Sequence, residues 1–186
     1  MLTRRLFLAS LAAALPLPAF AQEAEPFPVR EKDAKLIEYK YRRREVDFET
    51  AELPGTIVVD PKKRFLYYVL GGGKAMRYGA SVGKAGRTWS GIATIGKMAK
   101  WPTWTPTPEH LAEFPKMIKW KDGMPGGPDN PMGARALYLY QGDVDTVYRI
   151  HGTYDPKLIG KKGTAGCFGL LNADIIDLFH RVQMGA

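Results

Sequence analysis

Cysteine is almost missing. Cys167 is the single one among 186 residues, so no disulfide can form within the chain. It is left either an inert place in the core or the role of a reactive thiol. Histidine is scarce too. His110, His151 and His180 are scattered, with no spacing that gathers metal ligands, so no metal centre and no cofactor are expected. The run Gly71-Gly72-Gly73-Lys74 lacks the spacing that ends in Gly-Lys-Ser/Thr and reads as a tight turn, not a phosphate cradle. Internal repeats and low-complexity tracts are absent from the sequence. The longest apolar run, Leu6 to Leu17, falls short of the roughly 20 residues a membrane span needs. Hydrophobic residues at 45% and charged residues at 25% are ordinary values, and a chain of this length builds one folded domain.

What is present begins at the N-terminus. Arg4 and Arg5 precede the apolar run, which ends at Ala19-Phe20-Ala21, an A-x-A cleavage pattern. Residues 1–21 are therefore expected to be a signal peptide cut before Gln22. The arginine pair followed by Phe7-Leu8 resembles a twin-arginine signal, which exports folded proteins. No cysteine stands near the cut to accept a lipid, so a soluble mature protein in the periplasm or cell envelope follows. The net charge of +8 loses two arginines with the signal and stays basic. The excess sits in Lys40 and Arg42 to Arg44, in Lys62 to Arg64, and in Lys161 and Lys162. Export without a recognisable binding motif argues against a nucleic-acid partner. An anionic extracellular polymer fits better, although a solvated face accounts equally for any one cluster.

Residues 22–53 are charged and lack clear periodicity; they read as an arm, with a short helix through Ala34 to Arg44. From Pro54 the pattern changes to short apolar runs separated by turns. Thr56 to Asp60 and Arg64 to Leu70, joined by Asp60-Pro61-Lys62-Lys63, form a strand pair rich in β-branched and aromatic residues. Further strands are expected over Met76 to Val82, Ala134 to Tyr140 and Thr146 to Ile150. Between them Trp101 to Pro131 is too dense in proline and glycine for a central strand or a long helix, with one helical turn at Glu109 to Phe114. Such an insertion is uncommon unless it does something, and its tryptophans can wall a cleft or pack on the sheet. After Cys167, Asn172 is a candidate N-cap for a helix with an apolar face of Ile175, Ile176, Leu178, Phe179 and Val182. His180 faces solvent on that helix.

His151-Gly152-Thr153 at a strand end, a loop of about a dozen residues, and Thr164-Ala165-Gly166-Cys167 bring an imidazole and a thiol together at neighbouring ends of one β-structure. An adjacent imidazole raises the reactive thiolate share of a thiol. A backbone carbonyl can orient the second ring nitrogen, since no Asp or Asn stands at an obvious third position. The amides of Ala165, Gly166 and Cys167 can form an oxyanion hole.

The stretch Ile150-His151-Gly152-Thr153, with Gly166-Cys167 following, resembles the signature of the YkuD-type L,D-transpeptidase catalytic domain. The likeness extends to Pro54 through Asp60, to Trp101-Pro102-x-Trp104-x-Pro106, and to Met124-Pro125-Gly126-Gly127-Pro128-x-Asn130-Pro131-x-Gly133, placing the domain at 54–186. The resemblance implies a mainly β fold: an L,D-transpeptidase-like β-sandwich with one short helix after the nucleophile and a long irregular insertion. It implies Cys167 as nucleophile and His151 as base, held by the Gly152 carbonyl. The implied acyl donor is a peptidoglycan stem peptide, whose terminal D-alanine leaves as a thioester forms; an amine, including one on an envelope protein, takes the acyl group. Thr164, Asn130, Arg135 and Trp104, with Trp101, are expected to contact the stem. One position departs from the family: Gly169 stands where relatives usually carry arginine, and Arg149, Lys161, Lys162 or Arg135 are candidates to supply that charge. Relatives also commonly continue past the last helix into a final strand. A carboxypeptidase-type hydrolase and a non-catalytic wall-binding protein are the alternatives.

Overall fold

Alternating apolar residues give strands with one face to bury, and pairing two such sheets face to face is how this chain makes its core. The computed structural model describes residues 24–84 and 89–186; the expected signal peptide, residues 1–21, and its expected cut before Gln22 lie outside them. One sheet runs in the order β1 (Arg44–Asp47), β4 (Lys74–Gly79), β3 (Phe65–Gly71), β2 (Ile57–Asp60), all antiparallel. The other runs β10 (Phe168–Gly169), β8 (Val144–His151), β7 (Arg135–Gln141), β6 (Thr94–Lys100), antiparallel except for the parallel pair of β10 with β8. A short parallel pair, β5 (Val82–Gly83) with β9 (Lys162–Thr164), forms a separate two-stranded sheet. Leu66 and Tyr78 from the first sheet meet Leu137, Leu139, Ile150 and Phe168 from the second. The helix α2 (Asn172–Arg181) adds Ile175 and Leu178 to that core. Each such buried side chain contributes about 1.5–3 kcal/mol. The fold is thus mainly β, with a second short helix, α1 (Pro108–Glu113), inside the insertion. Among the described residues no helix is long and apolar enough to cross a membrane.

Several local features differ from the sequence expectation. The helix over Ala34 to Arg44 is two single 3-10 turns, Glu31–Lys35 and Tyr39–Tyr41, and Arg44 opens β1. The arm is docked rather than loose: Ile37 and Tyr41 are buried with Ile159 and Leu171 in a second cluster. β6 forms from Thr94-Ile95-Gly96-Lys97-Met98-Ala99-Lys100, which reads as a glycine-punctuated turn region because an edge strand needs only one buried apolar row. Asn172 is not the N-cap of α2. Leu171 takes that position, and the Asn172 side-chain oxygen instead accepts the backbone N–H of Ala134 at 2.9 Å.

Candidate active site

The parallel register of β10 with β8 sets Phe168 beside Ile150 and Gly169 beside His151. One residue back, Cys167 falls beside Arg149. Alternation along a strand then sends Ile150 and Phe168 to the core, where both are buried, and Arg149, His151, Cys167 and Gly169 to the opposite face. Sequence spacing thus becomes a thiol and an imidazole on one face of one strand pair. A cavity of about 350 Å³ lined by Ile57, Trp89, Leu139, Ile150 and Phe168 lies on the core side, with the sheet between it and the thiol.

His151 is buried, and its Nδ1 lies 2.6 Å from the Gly152 carbonyl oxygen. A carbonyl can only accept, so Nδ1 carries the hydrogen and Nε2 is left with a lone pair. Burial pushes the imidazole down to about 4, with the Arg149 charge adding and the Gly152 bond opposing. Burial also pushes the half-buried Cys167 thiol up; the backbone amide and the charge of Arg149 act against this. Both groups are therefore neutral at rest, a thiol beside a free base. Gly152 has no alternative residue: a Cβ there would collide with the Asn172 side-chain oxygen, itself fixed by Ala134.

The loop before the thiol is closed by Thr164. Its hydroxyl donates to the Cys167 carbonyl at 2.6 Å and accepts the Gly166 N–H at 3.2 Å. Two expectations change accordingly. Thr164 braces the loop before Cys167 instead of presenting a free hydroxyl to a ligand. The Gly166 amide is already engaged, which leaves those of Ala165 and Cys167 from the expected oxyanion trio.

Two more expected ligand contacts are turned elsewhere. Asn130 is fully buried; its Nδ2 reaches the carbonyls of Pro102, Met124 and Pro125, and its Oδ1 accepts the Met132 N–H. It ties the insertion together and has no exposed group for a ligand. Arg135 shares the core-side face of β7 with Leu137, is 2% exposed, and stacks on Phe179 of α2. Its guanidinium holds the carboxylate of Glu25 from the arm, which also accepts the Trp101 ring N–H at 2.7 Å. Trp101 meets Phe27 edge-on. Trp104 is half-buried and outside both core clusters; it pairs with Met124 through backbone hydrogen bonds and meets the His110 ring edge-on at 5.1 Å.

Of the candidate cations, Arg149 lies beside the thiol. Asp145 clamps it bidentately, at 2.7 and 2.9 Å, and it stacks on Tyr138 at 4.3 Å. Lys161 precedes β9 and Lys162 opens it, and both are exposed. Sequence reasoning overlooked Ser81. It is buried, exchanges backbone hydrogen bonds with Gly169, and its hydroxyl donates to the Gly169 carbonyl. A Cβ at Gly169 would stand 2.5 Å from that hydroxyl, so Ser81 fills the space an arginine there would enter.

With this geometry in view, residues 54–186 match the model of the YkuD L,D-transpeptidase catalytic domain. A protein of Fuscovulum blasticum provisionally named an L,D-transpeptidase is 37% identical over 175 residues, covering 93% of this chain and 86% of the relative. ErfK/SrfK of Escherichia coli strain K12, named a probable L,D-transpeptidase, is 35% identical over 136 residues, 70% of this chain but 42% of the relative. The chain thus spans less than half the length of that relative. Among solved structures, a Brucella melitensis protein described as a probable carnitine operon oxidoreductase shares 48% identity and a TM-score of 0.57, covering 84% of this chain and 96% of that one. That description stands apart from the names of the sequence relatives. An L,D-transpeptidase from Mycobacterium smegmatis, at 17% identity and a TM-score of 0.51 over 69% of this chain and 54% of that one, shares the fold.

Proposed function

The chain belongs to the YkuD family of L,D-transpeptidase catalytic domains, and from that membership we propose that it is an exported, cysteine-dependent acyltransferase acting on peptidoglycan stem peptides. The observation that carries the reading is the shared face of His151 and Cys167, with the imidazole tautomer fixed by Gly152. Because both groups are neutral at rest, Nε2 of His151 takes the thiol proton as Sγ attacks the donor carbonyl. The amides of Ala165 and Cys167 receive the developing oxyanion. Collapse breaks the peptide bond, His151 returns its proton to the departing D-alanine amine, and a Cys167 thioester remains. An acceptor amine then attacks the thioester, giving up a proton to His151 as the thiolate leaves; the imidazolium reprotonates the sulfur.

The acceptor is a second stem, a free D-amino acid or an amine of an envelope protein; water in its place makes the same site a carboxypeptidase-type hydrolase. The non-catalytic reading rests on Gly169; the hydroxyl of Ser81 in the space a side chain there would enter supports the catalytic reading, with glycine as the fitting residue. Incubating the full mature chain with disaccharide-tetrapeptide and weighing products separates the outcomes. A cross-linked dimer with a transient acyl adduct on Cys167 supports the proposal. Tripeptide alone assigns the hydrolase, and unchanged substrate overturns both.

A further inference from the structure

The outer face of the second sheet carries a transverse row that ends at the nucleophile. Lys97 pairs with Tyr138, Tyr138 pairs with Arg149, and Arg149 lies beside Cys167. Residues aligned across a sheet project from the same face. Both cations meet the one ring between them: Lys97 Nζ lies 4.9 Å and Arg149 Cζ 4.3 Å from the Tyr138 centroid. Burial raises the Tyr138 phenol, which stays a neutral donor. Asp145 neutralises Arg149 and lies within reach of the field of Lys97. Lys97 itself is exposed and makes no ion pair with a described residue. The row is therefore net positive at its open end.

This arrangement is built, not incidental. Three residues, Thr146 to Tyr148, bulge between the pairs of Tyr138 with Arg149 and Tyr140 with Asp145. Val147, a β-branched residue, is held there at φ +65 by its N–H bonding Asp145 at 2.8 Å. The Thr146 hydroxyl donates to the Leu139 carbonyl at 2.6 Å. The bulge brings Asp145 back onto Arg149, and bulges beside active sites re-aim side chains in this way.

With strands spaced about 4.8 Å apart, the Lys97 ammonium above Tyr138 lies roughly 10 Å from the Cys167 position, about three residues of extended peptide. The geometry points to Lys97, seated on the Tyr138 ring that it shares with the Asp145-paired Arg149, as a carboxylate-recognising subsite for the acyl donor, one that reads a free carboxylate about three residues of reach from the carbonyl Cys167 attacks. This rests on the proposed acyl transfer. The test compares stem-peptide donors with free and with amidated side-chain carboxylates, keeping the terminal D-alanine in both. The wild-type chain is expected to show a KM about five- to tenfold lower for the free donor, a preference that Lys97→Met abolishes and Lys97→Arg restores. Equal KM for both donors, or a preference that survives Lys97→Met, overturns the subsite. If the wild type turns over neither donor, the acyl-transfer reading fails. Equilibrium titration of Cys167→Ala with the same two peptides, with and without Lys97→Met, then decides the subsite by whether the preference is present and Lys97-dependent.

Discussion

His151 and Cys167 are tuned in opposite senses by one cause, removal from water, and this sets how the pair must work. The imidazole stays unprotonated down to about pH 4, so the acid limb of kcat/KM is expected below pH 5, under the usual histidine range of about 6.5. Cys167 stays a thiol at neutral pH, so its alkylation by iodoacetamide is expected to climb with pH without a plateau near 7. Arg149→Gln removes a charge that favours the thiolate and should move that climb to higher pH. An acid limb near 6.5, or alkylation already saturated at pH 7, would mean a resting thiolate–imidazolium pair instead. Cys167→Ala and His151→Ala are each expected to abolish the acyl adduct seen by mass spectrometry with the fold retained; an adduct on the Cys167→Ala protein sinks the nucleophile. The nearness of His151 and Cys167 on neighbouring strands was legible in a strand-terminal histidine and a lone cysteine after glycines; the roles proposed for them came from the family resemblance. Thr164, Asn130 and Arg135 were not, since a polar side chain looks alike in sequence whether it meets a ligand or its own backbone.

At the scale of elements, α2 carries a titration of its own. Asp174 in its first turn is buried, and burial pushes its carboxyl up to about 7 against the pull of Arg43. A carboxyl raised above its unfolded value binds its proton in the fold, so stability falls as pH climbs from about 4 to about 7 and the penalty is full above that. Asp174→Asn is expected to gain on the order of 1 to 4 kcal/mol above pH 7 and nothing below pH 4, read from urea unfolding at both pH values; equal effects at both would refute the titration. In the insertion, Trp104 stands outside the two core clusters. Trp104→Ala should therefore raise donor KM while costing well under the roughly 3 to 5 kcal/mol of a deleted core aromatic. A full core-sized loss would make it a packing residue and remove it from the donor wall. Strands rich in β-branched residues were readable here, whereas β1 and β6 were hidden by charged and glycine positions that become strand only through their neighbours.

For the whole molecule, the final helix followed from hydrophobic period and the sandwich from the family resemblance, but the docking of the arm followed from neither. Its contacts reach far along the chain: Tyr41 lies under Gly160, and Glu25 on Arg135, 110 residues away. Export predicts that N-terminal sequencing of the mature protein begins near Gln22; a stable cytoplasmic form retaining the leader would remove the envelope substrate. Glu25 touches Trp101 and Arg135, the two stems of the insertion, with one carboxylate. In topological terms this is a crosslink without sulfur. It closes a long loop in a chain whose one cysteine cannot, and closing such loops is where a tie gains most from chain entropy. Unlike a disulfide, it is released by protons. Burial raises the Glu25 carboxyl, but the hydrogen bonds of Arg135 and Trp101 and the arginine charge hold it below its ordinary value. Its contribution is present above pH 4.5 and fades as pH falls through the lowered value. Glu25→Gln should loosen residues 24–30 and both stems together in hydrogen exchange at neutral pH, as acid does to the wild type. The segment around Glu25 thus serves as a reversible buckle on the loop beside the sheet that carries His151.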